Sequence, residues 1–434
     1  MTLSIVIGCV TNCLLAQEST IKQQLTIDRL FELIELNSKS LTVQKSGTDI
    51  AQQALLSAKS DRLPDIDTQL SMSYLGNGFT TKRNFTEFTQ APIPHFGNNF
   101  VLEASQVIYS GGAISNNIQL SQLAYQQSQI AVQQSREQLR FLLLSQYLEL
   151  FKLDNQIKVY NQNIALTDKL IKQVHAKQEQ GAALKNDVTR YELQKKELEL
   201  SLLKLNNLRL VQNHQLCTSL SIPYTTCIEP DTTLIDKLYA QDGEQYWKTH
   251  ASVTSPAIKQ AAITIDMAKT KVKIVQSDLL PKISLVAADH FDGPITIEVP
   301  PINRNFNYWY LGVGIKYSLS SLFKSNKRIS QAKYAVNQSQ ISKSAVADEV
   351  SNAVQEGYVL YMQSYSDWHT QQKSVELARQ NYVIVNERYL NQLALITDML
   401  DASNIRLSAE LQEVNARISI VYNYYKMKYL SGTL

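Results

Sequence analysis

From Ala113 to Gln180 the chain contains neither proline nor glycine, and almost every residue is Gln, Leu, Ser, Lys, Glu, Ala or Ile. Helix propensity is good throughout such a run. At a rise of about 1.5 Å per residue the helix is roughly 100 Å long, several times the ~30 Å diameter of a small domain. A single soluble core cannot bury such a rod, so it must lie against other long helices. A second run, Lys324 to Asn391, interrupted only by Gly357, supplies one of them. Shorter helices are predicted at Asn186–Leu216 and Thr397–Tyr429. The region Leu139–Leu153 carries apolar residues over more than half its circumference, wider than one coiled-coil seam. This suits a wall of helices, flanked on both sides, with Gln and Ser on the wet faces.

Between the helices the period changes. From Ile66 the alternation is strict, with Ile66, Thr68, Leu70, Met72 and Tyr74 on one face and Asp67, Gln69, Ser71 and Ser73 on the other. Period two is a strand signal. A second strand is expected from Phe100 to Tyr109, closed by Gly111-Gly112. Ile283–Asp289 and Asn307–Tyr317 repeat the pair. In the last, Trp309, Leu311, Val313, Ile315 and Tyr317 face one way and Tyr308, Tyr310, Gly312, Gly314 and Lys316 the other. Aromatic residues at the ends of an apolar stripe suit membrane-interface girdles, with Tyr74, Phe100, Trp309 and Tyr317 as the candidates. Four strands are too few to close a membrane barrel, so a barrel here must be shared between copies.

The plan occurs twice. Ser60-Asp61-Arg62-Leu63-Pro64-Asp65-Ile66 recurs as Ser277-Asp278-Leu279-Leu280-Pro281-Lys282-Ile283, 217 positions later. Gln127-Ser128-Gln129-Ile130 recurs unchanged as Gln338-Ser339-Gln340-Ile341, 211 positions later, and Tyr147/Tyr358 and Asp187/Asp398 keep that offset. Ordered matches at a constant offset mean a duplicated architecture. The first repeat is expected over 17–217, with a helix at 21–62, a hairpin at 64–110, a long helix at 113–180 and a helix at 186–216. The second is expected over 255–434, with a hairpin at 281–318 and helices at 324–391 and 397–429. A segment at 218–254 joins them, and Ser255-Pro256 restarts the helical pattern.

The fold class is therefore mainly α with a small β part. Net charge is +3 with 19% charged residues, which argues against nucleic acid as the main partner. No apolar run long enough for a membrane helix occurs beyond the N-terminus, excluding a polytopic helical membrane protein. Leu3–Ala16 followed by Gln17-Glu18 reads as a signal-peptide core, assigning 1–16 to export, although only Met1 and Thr2 precede it. Cys217 and Cys227 form an even pair in a short proline-containing segment. In an oxidising compartment they are a candidate disulfide, with two unpaired thiols as the other reading. The six histidines show no metal spacing, no phosphate loop or nucleophile elbow is present, and no cofactor or catalytic residue is assigned.

With the duplicated plan, the leucine-proline pair before each hairpin, Tyr109-Ser110-Gly111-Gly112, Thr397-Asp398-Met399-Leu400-Asp401-Ala402 and the terminal Ser431-Gly432-Thr433-Leu434 in view, the chain resembles the TolC family of outer-membrane channel proteins. The resemblance implies a homotrimer in the outer membrane. Four strands from each copy would form a twelve-stranded barrel, continued through the periplasm by a helical tunnel. A periplasmic adaptor and an inner-membrane transporter would dock at the far end. It further implies a gate where the helix pairs turn, with Asp398 and Asp401 at the constriction and Asp187 and Tyr389 in the lock. The family's lock arginine is absent, and Ala394 stands in its place. Gly181 marks the first turn, and its counterpart is Gln392. Residue spacing alone gives Asp187 and Asp398 a simpler role, as first-turn carboxylates favoured by the helix dipole. The competing functions are a soluble coiled-coil scaffold, which would need no detergent, and a periplasmic adaptor, which would need a small glycine-marked β domain.

Overall fold

The computed structural model describes residues 21–237 and 239–434. The segment assigned to a signal peptide, 1–16, lies outside them. The chain divides into two units.

The first unit comprises residues 44–132 and 256–348. Its centre is an antiparallel sheet of four strands in the order β2-β5-β7-β8, where β2 is Asp65–Tyr74, β5 Phe96–Tyr109, β7 Lys282–Gly293 and β8 Phe306–Lys316. Each half of the chain contributes one hairpin, and the hairpins join where β5 pairs with β7. A short ladder, β3 (Gly78–Thr80) with β4 (Thr89–Ala91), decorates the first hairpin's loop. Helix α6 (Pro256–Ser277) opens with proline at its first position, where the missing N–H costs nothing. Gly111 has φ +64, and a Cβ there would stand 2.8 Å from both Leu280 Cβ and the Ser277 carbonyl. Only glycine fits, which explains the Gly-Gly end of β5.

The second unit holds residues up to Val43, Gln133–Ser255 and Glu349–Leu434. The sequence reading of one helix over 21–62 needs correction. Residues Ile21–Leu25 form a strand, β1, paired in parallel with β6 (Thr226–Pro230). Helix α1 (Ile27–Asn37) follows, capped by the Thr26 hydroxyl, which accepts from Arg29 N–H at 3.3 Å. The chain breaks at Ser38, and α2 runs Lys39–Ser60. The alternation in Ile21–Leu25 is too short to register as period two, and its pairing partner lies about two hundred residues away.

The long helices are α3 (Ala113–Glu179) and α7 (Ser321–Leu390), and their partners are α4 (Lys185–Ser219) and α8 (Ile396–Leu430). The apolar girth read at Leu139–Leu153 is used. Leu143, Leu144, Tyr147, Leu148, Leu150 and Phe151 join Leu30 and Ile34 of α1, Leu216 of α4 and Val421 of α8 in one core. Tyr147 is fully buried, and its hydroxyl donates to Leu25 C=O at 2.6 Å and accepts from Asp231 N–H at 2.8 Å. Both halves of a buried hydroxyl are thereby satisfied. Arg209 on α4 grips the Asp154 carboxylate of α3 and donates to Ile228 C=O at 3.0 Å. Gly357 is the point where α7 meets α8: an added Cβ would fall 2.7 Å from Leu430 Cδ1. The remaining segment between the halves contains a short 3-10 helix, Thr232–Asp236, and α5, Glu244–Thr254.

Candidate functional site

Two features of the structure bear on function, the turns where the long helices reverse and the two faces of the sheet.

Each reversal is built alike. Gly181 has φ +71 and Gln392 has φ +63. At the first turn Gly181 N–H donates to Gln178 C=O at 3.0 Å and Ala182 N–H to Lys177 C=O at 2.8 Å. At the second, Gln392 N–H donates to Tyr389 C=O at 3.1 Å and Leu393 N–H to Arg388 C=O at 2.8 Å. This paired pattern is the left-handed helix stop that closes orphan carbonyls. The following helices start alike too. Asp187 accepts from Leu184 N–H at 3.2 Å, and Asp398 accepts from Leu395 N–H at 3.0 Å. Each carboxylate reaches back from the third helical position to the residue before the helix, which satisfies one orphan donor and suits the helix dipole.

Beside the turns, all four helices meet in one cluster. Leu170 and Val174 of α3, Val188 and Tyr191 of α4, Tyr382 of α7, and Ile396 and Met399 of α8 are buried together, with Tyr389 packed against them. The Tyr191 and Tyr389 rings meet edge to face at 6.4 Å. Burial, and after it the Asp187 carboxylate, pushes the Tyr389 phenol up to about 12. No hydrogen bond joins Asp187 to Tyr389 among the described residues; the Asp187 carboxylate accepts from Leu184 N–H. The Tyr191 hydroxyl is buried without a hydrogen-bond partner. Burial, then the neighbouring Tyr389, raises its pKa. Asp398 and Asp401 lie one turn apart on α8 and are both exposed.

Sequence reasoning missed two cations here. Lys177 on α3 donates its ammonium to Leu390 C=O at 2.6 Å. That carbonyl closes α7, where the helix dipole is negative and no intrahelical donor remains. The bond ties one helix pair to the other. Arg406 on α8 stacks over the Tyr382 ring at 4.1 Å and donates to Asn163 Oδ1 at 2.8 Å. The pairing of Lys177 with a backbone carbonyl left no trace in residue type or spacing.

Cys217 and Cys227 are free thiols in the structure, in place of the candidate disulfide. Cys217 Sγ donates to Thr226 C=O at 3.4 Å, and Cys227 Sγ accepts from Arg209 Nη1 at 3.4 Å. Burial pushes the Cys217 thiol up. Each sulfur has a polar neighbour, so neither requires the other.

The sheet leaves its apolar face uncovered, and both faces of its edge strand β2 are exposed. Register aligns Ile66, Ala104, Ala287 and Leu311 in one row, and Leu70, Phe100, Phe291 and Asn307 in another. With Val313 and Ile315 they form one face, and its large side chains are exposed: Leu311 at 71% and Trp309 at 74%. The opposite face carries Asp65, Asp67, Glu103, Gln69, Asn99 and His290 by the same register. A soluble sheet buries its apolar face, whereas this one displays it. Of the aromatic candidates, Phe100 lies on this face beside Leu70 and Phe291, and Trp309 lies near its upper end. Tyr74 is exposed and stacks on His95 at 5.2 Å. Tyr317 follows immediately after β8. No described helix is long and apolar enough to cross a membrane, and no cluster of potential metal ligands occurs among the described residues.

Comparison with known proteins agrees with this geometry. Residues 249–432 match the family model described as outer membrane efflux protein. Among solved structures, the outer-membrane channel OprN is similar at 16% identity, with a TM-score of 0.77, over 94% of this chain and 90% of that one. The outer membrane protein VceC from Vibrio cholerae is similar at 14% identity, TM-score 0.76, over 94% and 96%. The outer membrane channel MtrE of Neisseria gonorrhoeae, solved in its open state, is similar at 14% identity, TM-score 0.73, over 94% and 89%. Comparison with curated proteins gives no match.

Proposed function

We propose that the chain, whose residues 249–432 match the outer membrane efflux protein family model and whose fold is that of outer-membrane channels, is one protomer of a homotrimeric exit duct for an efflux pump or a type I secretion system. The single observation that carries this is the uncovered apolar face of the sheet. Four strands with an apolar exposed face and a polar opposite face cannot close alone, and they leave β2 and β8 as open edges. Edge strands invite pairing with another chain, and a closed barrel is the only sheet that spans lipid. Three copies supply enough strands for a barrel with a water-filled interior.

In this reading the helices continue the duct through the periplasm, and residues 17–217 and 255–434 are its two repeated units. A periplasmic adaptor and an inner-membrane transporter are the partners, and the protein is not an enzyme. Opening consists of the two helix pairs parting at their turns. Asp398 and Asp401 from three copies then ring the constriction, with Asp187 and Tyr389 beside the seam. Like carboxylates crowded on one axis attract cations and repel each other. The exposed apolar face disfavours a soluble scaffold, because such a patch on a monomer invites aggregation.

The test is oligomer mass in mild detergent, by light scattering, with and without denaturation. A detergent-dependent trimer supports the duct. A monomer stable in plain buffer rules it out.

A further inference from the structure

We infer that a cavity at the base of β7 and β8 is a binding site for a phosphate-class oxyanion. The cavity measures about 300 Å³ and is lined by Lys282, Lys316, Lys324 and Arg328 together with Asp278 and a group of serines. Four cations therefore face one carboxylate. Arg328 Nη1 is bound to Asp278 Oδ2 at 2.9 Å, while Lys282, Lys316 and Lys324 form no ion pair among the described residues.

The placement of two of these lysines is costly. Lys282 and Lys316 are direct partners across the β7–β8 ladder, and like charges facing each other on adjacent strands destabilise a sheet. A sequence that keeps such a conflict without a visible partner signals a site that something else completes. The serines provide the complementary chemistry. Ser325 is buried, the Ser321 hydroxyl donates to Ser318 C=O at 2.6 Å, and the Ser318 and Ser320 hydroxyls lie 3.1 Å apart, which leaves one of their two protons and that of Ser325 to face the cavity. Ammonium groups around hydroxyl donors suit an oxygen-rich anion with donors needed on several sides. Lys282 and Lys316 lie on the polar face, one position beyond Ile283 and Ile315, the last pair of the opposite, apolar face. If that face meets lipid, which rests on the function proposed above, the cavity sits at the depth of phosphate head groups. The shared chemistry is a phosphate oxyanion, free or carried by a lipid.

The full chain, purified in a non-ionic detergent, is titrated with sodium phosphate at low ionic strength by calorimetry. Thermal unfolding is followed in parallel. Saturable binding is expected, weakened roughly tenfold or more in Lys316→Gln and Lys324→Gln and unchanged in Lys327→Gln, which lies outside the cavity. Lys282→Gln should unfold at higher temperature than the parent without phosphate and gain less from adding it, a pair of shifts that a merely structural lysine does not give. In a second arm, lipid discs of phosphatidylcholine, with or without phosphatidylglycerol, are examined by native mass spectrometry. Phosphatidylglycerol retained by the parent and lost in Lys316→Gln assigns a lipid ligand, and phosphate binding without lipid retention assigns a soluble one. No saturable binding in either arm, or equal binding by parent and variants, overturns the site. The calorimetric arm reads the protomer's own cavity, so its outcome is independent of whether the chain forms a trimeric duct.

Discussion

Gln392 adopts the left-handed backbone conformation that Gly181 adopts 211 positions earlier, with φ of +63 against +71. The same two hydrogen bonds close both turns. A residue with a Cβ pays about 1 kcal/mol for that conformation, and glycine does not. Gln392→Gly should therefore stabilise the protein by about 0.5–1 kcal/mol, and Gly181→Ala should destabilise it by a similar amount, both read from denaturant midpoints at constant slope. Equal and opposite-signed shifts fit the duplicated turn. A destabilised Gln392→Gly would mean that the glutamine side chain contributes more than its backbone costs.

The Lys177 ammonium bound to Leu390 C=O joins the two helix pairs beside their turns. A charge-assisted hydrogen bond of this kind contributes about 1.5–3 kcal/mol. Lys177→Met keeps the stem and removes the donor. If the chain forms the proposed duct, Lys177→Met should raise its open probability in planar bilayers, and Lys177→Arg should restore most of the closed state. Unchanged gating in Lys177→Met would remove this bond from any role in closure.

Asp398 has one bond in the structure and one proposed role at a constriction, and substitution can separate them. Its oxygen accepts from Leu395 N–H, so Asp398→Ala should cost about 1 kcal/mol through the lost helix-start bond. Asp398→Asn keeps an acceptor and removes the charge. If the carboxylates ring a constriction, Asp398→Asn and Asp401→Asn should both raise conductance and weaken block by divalent cations. Only Asp398→Ala should also lower stability. Identical conductance in all variants would move the constriction elsewhere.

Tyr389 gives a pH signature. Burial and the Asp187 carboxylate raise its phenol to about 12 from an ordinary value near 10. The folded state then holds the proton more tightly than the unfolded chain. Its contribution to stability is complete below pH about 10 and is lost as pH rises from there through about 12. Tyr389→Phe should retain stability further into that window. Asp187→Asn should lower the Tyr389 pKa, followed by the ultraviolet absorbance of phenolate. An unmoved titration would show that burial alone sets it.

The cysteine pair should behave as two unequal thiols. Cys217 is fully buried and its thiol is pushed up by burial, while Cys227 is only half-buried against Arg209. Brief alkylation of the native protein followed by mass spectrometry should label Cys227 well before Cys217. Recovery of a Cys217–Cys227 crosslinked peptide would contradict the thiol geometry.

The sequence alone determined the long helices and the alternating strands, because both depend on local period and on the absence of glycine and proline over Ala113–Gln180 and nearly all of Lys324–Asn391. It also pointed to a repeat, since Asp187 and Asp398 keep the offset of other matched residues, and in the structure the two carboxylates make equivalent bonds. Tertiary structure decided what depends on pairs far apart in the chain. The β1–β6 ladder, the tie from Lys177 to a backbone carbonyl, and the Lys282–Lys316 pairing all join groups whose residue types carry no mark of their partner. The exposure of the sheet's apolar face belongs to the same class. Alternation shows that Ile66 and Leu311 share a periodicity with their neighbours, but only the folded sheet shows that their common face is left uncovered, because burial is a property of what packs against a surface.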